Sequence, residues 1–304
     1  MRMDLGAVDY GAVLSSAGRR ALGGGASGAA AGVVQVVSLM WLRTAMNYEY
    51  RYGGEGMVQT VGKLYEEGGI PRLYRGVGFA LFQSPLSRFG DAAANAAVPQ
   101  LLTTLGESGV IPALPLATTQ AAASFAAATW RIAITPIDTL KTSLQVQGNL
   151  TALQSRIDTK GVAVLWSGAL AAALATLVGN YPWFLTYNSL DGALPPADGQ
   201  LETLLRRALL GVAASSCSDV CSNSLRVVKT GLQTIATESA GDDPLTTAAA
   251  APGPIDVAKA VIDADGIAGL FGRGLQTRLA VNCIQGAVFS VAWKYFESIL
   301  VVPS

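Results

Sequence analysis

The stretch TPIDTLKTSLQVQG, residues 135–148, places Pro136, Asp138 and Lys141 at the end of an apolar run, and no residue from Ser108 to Trp130 carries a charge. An acid and a base set three residues apart beside such a run could pair with each other, bind a solute or close a gate. Other charges stand out for the same reason. Arg131 is the first charge after the run, Asp219 interrupts a later one, and Arg88 and Asp91 sit three apart in SRFGDAAAN, a spacing that lets them pair on one helical face. Covalent chemistry finds little to work with. The chain has no histidine, which removes histidine triads, HExxH zinc sites and imidazole proton shuttles. Cys217 and Cys221 lie one helical turn apart and could form a redox pair or simply pack as small residues. With Cys283 they make neither a CxxC nor a disulfide framework. The run GGGASG holds a literal GxGxxG (Gly23, Gly25, Gly28), but without a preceding strand it lacks the setting of a dinucleotide site. Gly24, Gly28 and Gly32 recur every four residues, which would let one helix approach another closely. The expectation is no enzyme activity, no cofactor and no metal site.

These side chains need elements to hold them, and the composition indicates which. Of 304 residues, 51% are hydrophobic and 14% charged, with a mean hydropathy of +0.39. A soluble domain carries about 25% charged residues, so there are too few here to cover a soluble surface. Acids and bases balance at 21 each, and no basic block invites nucleic acid. A membrane crossing takes about 20 largely apolar residues. Windows of that kind run from Ala21 to Leu42, Ser108 to Trp130 and Gly161 to Leu190. Shorter ones, Gly76 to Ser87, Ala208 to Ser218 and Leu279 to Trp293, adjoin or contain Arg88, Asp91, Asp219 and Lys294 and read as spans with a polar face. The count is six crossings. The first 20 residues contain acids and no signal-like apolar core, and are expected to form a polar extension. The low-complexity stretch TESAGDDPLTTAAAAPGP, from Thr237 to Pro254, reads as a spacer.

The chain also repeats itself. EEGGIPRLYRG ends at Gly76, TKGVAVLWSG at Gly168 and DADGIAGLFGRG at Gly274. Each carries a glycine, a spacer, an apolar or aromatic pair, and then a glycine that opens an apolar span. Upstream of each lies a second shared element: SLMWLRTAMN from Ser38, PIDTLKTSLQ from Pro136 and SLRVVKTGLQ from Ser224. Its basic residues, Arg43, Lys141 and Lys229, are 98 and 88 residues apart. Three units of about 100 residues follow, each with two spans joined by an amphipathic segment.

These paired elements, three times in order, make residues 20–300 resemble the mitochondrial carrier family, whose signature is Pro-x-[Asp/Glu]-x-x-[Lys/Arg] followed, after a loop, by [Asp/Glu]-Gly and an aromatic-basic-Gly. The resemblance implies an all-α membrane protein: six transmembrane helices in three-fold pseudo-symmetric repeats (21–107, 108–200 and 201–304, after an extension 1–20) around a central cavity. It implies that the acid of each signature pairs with the base of the next and closes the cavity on the matrix side, with Pro136 kinking its helix. Only Asp138 with Lys229 keeps a full pair, because the other acid positions hold Met40 and Arg226 and the other prolines are Ser38 and Ser224. Lys141 would then face Met40, and Arg43 would face Arg226. Gln145 and Gln233, with Asn47, occupy the places of bracing glutamines. The corresponding gate at the other end is not visible: YNSLD begins at Tyr187, and WKYFE from Trp293 has Lys294 and Glu297 exchanged.

The resemblance places substrate contacts five residues before the signature proline, at Val33, Arg131 and Asp219. It also places them seven, eight and eleven after each opening glycine: Gln83, Ser84 and Ser87; Ala175, Thr176 and Gly179; Val281, Asn282 and Gln285. Arg88, Asp91 and Asn180 lie just beyond. Arg131 and Asp219 could instead form a structural ion pair between their helices. Such a set lacks the several arginines expected for nucleotides or citrate; one or two arginines, two aspartates and amides suit a small zwitterion or amino-acid-like solute better. Arg273 and Arg278 read as anchors near the matrix mouth.

Two functions follow. The first is a solute carrier working by alternating access, its substrate contacts Arg131, Asp219, Arg88, Asp91, Gln83, Asn180, Thr176 and Asn282, its gate Asp138, Lys229, Lys141, Arg43, Gln145 and Gln233. The second is a carrier-fold structural subunit of a larger membrane complex that has lost transport. Implied partners are a small-molecule solute, membrane lipids including cardiolipin, and for the second reading other proteins. The implied location is the mitochondrial inner membrane, with the plastid envelope as the alternative.

Overall fold

The computed structural model describes residues 25–54, 56–112, 114–196, 199–234 and 253–285. Among them the chain is helical throughout, and long and short helices alternate: α1 (Gly25–Tyr52), α2 (Met57–Leu73), α3 (Val77–Glu107), α4 (Leu116–Gln147), α5 (Thr151–Lys160), a short 3-10 turn (Val162–Trp166), α6 (Ala169–Ala193), α7 (Gln200–Gln233) and α8 (Pro254–Gly272). A last helix, α9, is described over 275–285. The extension 1–20, the spacer over 237–252 and the WKYFE motif lie outside the described residues.

Among the described residues, most of each charge-free window is helical. At about 1.5 Å per residue, the 31 residues of α3 and the 32 of α4 reach farther than the roughly 30 Å of a bilayer's apolar core. By composition, one stretch among the described residues is long and apolar enough to cross a membrane, Val162–Ala193, with a mean hydropathy of 2.0. The other long helices average lower because one face of each is polar. That face is turned inward. Gln35, Ser84, Ser124, Asp138, Gln145, Asp219 and Gln233 are buried, while Phe82, Phe125, Leu170, Tyr181 and Leu209 are more than 60% exposed. A water-soluble protein has the opposite arrangement; polar side chains inside and apolar ones outside suit lipid surroundings.

The long helices form a ring. α3 packs chiefly on α4, α6 on α7, α4 also on α6, and α1 on α3 and α7. α9 closes the circle, reaching α1 through Gln35 Nε2 donating to the Gln285 carbonyl at 3.1 Å and α7 through Arg278 and Asp219. Below the long helices, arginines from the short segments tie neighbours together. Arg72 donates to the Gln145 and Val146 carbonyls at the end of α4. Arg156 reaches Gln233 and Leu232 at the end of α7, and Arg273 reaches Arg51 at the end of α1. Cationic donors on the bare carbonyls of a helix C-terminus satisfy groups with no intrahelical partner. Three such ties, each to the next long helix, run once around the ring.

The repeated glycine element has a backbone reason. Gly69, Gly161 and Gly266 have φ of 65°, 78° and 70°, and the opening glycines Gly76, Gly168 and Gly274 have 83°, 79° and 63°. This left-handed region strains any residue with a side chain. Space adds a second demand, because a Cβ on Gly76 or Gly168 would lie 2.9 Å from the carbonyl oxygen of Lys141 or Lys229. Two other expectations differ. Gly32 has nothing within 4 Å of where a Cβ would sit, so the glycine spacing of α1 does not bring a neighbour close at that residue. The break in a long helix falls in α1 rather than at Pro136. Leu39 has φ −119° and ψ 15°, and next to it Ser38 Oγ donates to the Val34 carbonyl at 2.6 Å, a back-bond that bends helices. α4 runs through Pro136 with helical backbone angles.

Candidate substrate cavity and gate

Inside the ring lies a cavity of two connected lobes, about 250 and 440 Å³, which share Gln83, Asp91, Arg131, Asp138, Arg226 and Lys229. Its floor is the signature layer. Asp138, on α4, is buried and holds Lys141 Nζ at 2.8 Å on one oxygen and Lys229 Nζ on the other. Gln233 Nε2 donates to the second oxygen at 3.2 Å and to Thr139 Oγ1. The acid–base pair expected between Asp138 and Lys229 is therefore present, with Gln233 bonded to it. Around the floor, Asn47 Nδ2 donates to Gln145 Oε1 at 2.7 Å.

Two expected juxtapositions differ. Lys141 turns away from Met40, onto Asp138 and Gln83 Oε1 at 3.1 Å. A thioether offers an ammonium no counter-charge, whereas Asp138 is one turn back on the same helix. Met40 instead accepts from Gln145 Nε2. Arg43 leans on amides: its guanidinium donates to Gln285 Oε1 at 3.1 Å and Gln35 Oε1 at 3.4 Å. Arg226 stands 4.0 Å from Asp219. Arg226 Nε donates to Ser222 Oγ at 3.2 Å on its own helix, and the Asp219 oxygen it approaches is the one Arg278 holds.

Higher up, Arg131 and Asp219 do not pair with each other. Arg131 holds Asp91 at 2.5 Å and donates to Ser87 Oγ, which joins α4 to α3. Asp219 holds Arg278 Nε at 2.5 Å and accepts from Asn282, which joins α7 to α9. Arg88 donates to Gln35 Oε1 at 2.6 Å. Arg131, Arg88, Asp91, Gln83, Asn180, Thr176 and Asn282 all line the cavity. Asp219 sits behind Arg278 with 4% of its side chain exposed. Thr176 bonds its own helix at the Ala172 carbonyl. Val33 is 43% exposed, and Gln35 takes the inward place on α1. Counting back from a signature proline presumes one, and α1 has Ser38 and a broken turn at Leu39 instead.

Sequence reasoning missed Arg278 as a cavity residue and read it as an anchor. It lines the larger lobe, four residues before Asn282 and so on the same helical face; that spacing was the available signal. Arg273 does act as an anchor, through Asp265 at 2.7 Å and the Arg51 carbonyl. With Arg278 and Arg226 included, seven cations line the cavity: Arg43, Arg88, Arg131, Lys141, Arg226, Lys229 and Arg278. Three carboxylates, Asp91, Asp138 and Asp219, answer them. At the far end Asp191, in the YNSLD stretch, pairs with Arg206 at an exposed surface and closes nothing. Among the described residues no group of acids or cysteines could hold a metal ion.

Helices with apolar outer faces, closed in a ring around a charged cavity, define a membrane-embedded helical bundle built around a polar site. The family model for the mitochondrial carrier protein matches residues 112–196 and 200–303, more than half of the chain. The protein belongs to the mitochondrial carrier family. The mitochondrial thiamine pyrophosphate carrier 1 of Vanderwaltozyma polyspora is 34% identical over 96 residues, which cover 29% of this chain and 31% of that protein. The chain thus matches about a third of that relative's length.

Proposed function

We propose that this protein is a carrier that moves a small solute across the mitochondrial inner membrane by alternating access. On this reading, three units (21–107, 108–200 and 201–304) supply six crossings, the short helices face the matrix, and both termini face the intermembrane space. The observation that carries it is the charged cavity enclosed by apolar-faced helices, with Asp138 binding Lys229 across its floor. A buried ion pair between neighbouring helices is a closure that water and a solute can undo, because each ion regains solvation as its partner leaves. Arg131 with Asp91, and Asp219 with Arg278 and Asn282, lie above that floor and would exchange their internal partners for the solute. Family membership supports transport and argues against enzyme activity.

The test is uptake into liposomes holding the purified chain, with thiamine pyrophosphate as the first solute because the partial relative carries that name. Nucleotides, keto acids and amino acids follow. Saturable uptake that is lost in Asp138→Asn supports the reading. No uptake of any solute, with the chain recovered from mitochondria inside a larger assembly, would favour the structural-subunit reading. That alternative draws on one observation: two of the three signature layers lack their acid, at Met40 and Arg226. Bound lipids, cardiolipin among them, fit either reading.

A further inference from the structure

Away from the central cavity, we propose that the pocket between the end of α1 and α2 binds a heteroaromatic anion of the nucleotide kind, its ring on Tyr48 and Tyr52 and its phosphate at Lys63. The pocket encloses about 370 Å³, within the roughly 300–1,000 Å³ of small-ligand sites. Tyr48 and Tyr52, one turn apart at the end of α1, set their ring centroids 4.8 Å apart at an angle of 49°. Gln59, Thr60 and Lys63 of α2 form the facing wall, and the link Gly53–Gly54 closes the end. Thr60 Oγ1 donates to Glu49 Oε1 at 2.9 Å, which fixes the two walls to each other.

The pocket opens to water. On α2, Thr60 and Leu64 are buried against the bundle, while Val58 and Tyr65 are 79% and 56% exposed on a face suited to the membrane boundary. Gln59, Lys63 and Glu66, spaced four and three apart, share the remaining face, which is polar and exposed. On the carrier reading that face looks into the matrix, and the proposal takes nothing else from that reading.

The set belongs to one unit only. Structural devices in this chain come in threes, as the glycine elements and the arginine ties do. Tyr48 and Tyr52 stand five and nine residues after Arg43, whereas the matching places after Lys141 hold Val146 and Leu150, and those after Lys229 hold Thr234 and Glu238. Lys63 stands thirteen before its opening glycine, where the other units have Ser155 and Val261. The fold therefore does not require this group of side chains.

Its chemistry selects an anion with a ring. Among the described residues no carboxylate forms an ion pair with Lys63, because Glu67, one turn on, is taken by Arg72. The Lys63 ammonium lies 5.4 Å from the centre of the Tyr48 ring, and the Arg51 guanidinium 5.3 Å from that of Tyr52. Those cations repel the quaternary ammonium ligands that paired aromatic rings otherwise take. A flat heterocycle gains from stacking on tyrosine, and a phosphate gains from the ammonium. Free phosphate leaves the rings idle, and a neutral nucleoside leaves the ammonium idle.

The experiment is equilibrium dialysis of the full chain in detergent against labelled adenosine monophosphate, with adenosine and inorganic phosphate as competitors. One saturable site is expected, for which each competitor is weaker by about tenfold or more. Tyr52→Leu removes a stacking face but keeps apolar bulk, and Lys63→Gln removes the charge. Each should weaken binding about tenfold. Both side chains are exposed and lie outside the cavity, so both variants should fold. Binding that survives both substitutions places the nucleotide elsewhere and overturns the proposal. So does adenosine or inorganic phosphate competing as well as the nucleotide, or no saturable binding at all. Dialysis needs no transport, so failure of uptake for every solute would sink the carrier reading and leave this site standing. Solute uptake by a chain that binds no nucleotide here would do the reverse.

Discussion

The α4–α7 interface and the α7–α1 interface hold the same signature positions with opposite chemistry. At the first, Asp138 accepts from two ammonium groups and a glutamine. At the second, the matching positions are Arg226 and Arg43, and the nearest relief for Arg43 is a pair of amides. Both layers pack in the same ring. The difference shows that the bundle does not need a salt bridge at every interface to close, because the arginines of the short helices and the glycines opening α3, α6 and α9 tie the ring lower down. The signature layer is therefore free to vary, with one interface holding an acid–base pair and another an arginine hydrogen-bonded to amides.

The largest effect should come from removing the acid of that layer. Asp138→Asn leaves Lys141 and Lys229 facing each other in a buried site, and uncompensated buried charge costs about 3 kcal/mol or more. Thermal unfolding in detergent should show a drop of several degrees that added chloride does not recover. An unchanged Tm would mean that the α4–α7 pair is ornamental and that the two interfaces do not differ energetically. Next comes Arg278→Gln. It strips Asp219 of its closest cation but leaves Asn282 and, at 4.0 Å, Arg226. The expected loss is smaller, about 2 kcal/mol, by the same measurement. Gly168→Ala probes the tie below the layer rather than the layer. A Cβ there meets the Lys229 carbonyl at 2.9 Å with φ at 79°, and a left-handed alanine costs about 1 kcal/mol before the clash is counted. If Gly168→Ala proves harmless, the ring closes by some contact other than these glycines.

The fold was legible because its determinants are local and repeated. Among the described residues the charge-free windows fall largely in helices, and each repeated glycine element places two glycines at positive φ. Within the site, the lining of the cavity was legible where a helix kept its regular register, as at Gln83, Thr176 and Asn282. It failed where register depended on a missing proline, so that Val33 stood in for Gln35. Partner choice was the least legible. The resemblance set Arg43 against Arg226 and Lys141 against Met40, but long cationic side chains reach several oxygens, and these settled on Gln35 and Gln285, Ser222, and Asp138. Arg278 was overlooked for a related reason. Attention to three fixed positions after the opening glycine passed over a residue four along the helix from the same element.

The smallest effect is also the sharpest test of the contrast between interfaces. Met40→Glu places an acid at the empty signature position of α1, next to Gln145 Nε2 and in a side chain of similar length. Taken alone it should change stability by less than about 1 kcal/mol, because burying a new carboxylate offsets most of what a new pair contributes. Combined with Asp138→Asn the outcome should differ. Lys141 then has no acid on its own helix, and the carboxylate introduced by Met40→Glu is its natural counter-charge across the α1–α4 interface. The double variant should recover part of the Tm lost in Asp138→Asn, by more than the two single effects sum to, since residues sharing one partner are not additive. Simple additivity would mean that Lys141 cannot cross to α1, and that the signature layer of this chain is set by packing rather than by which position holds the acid.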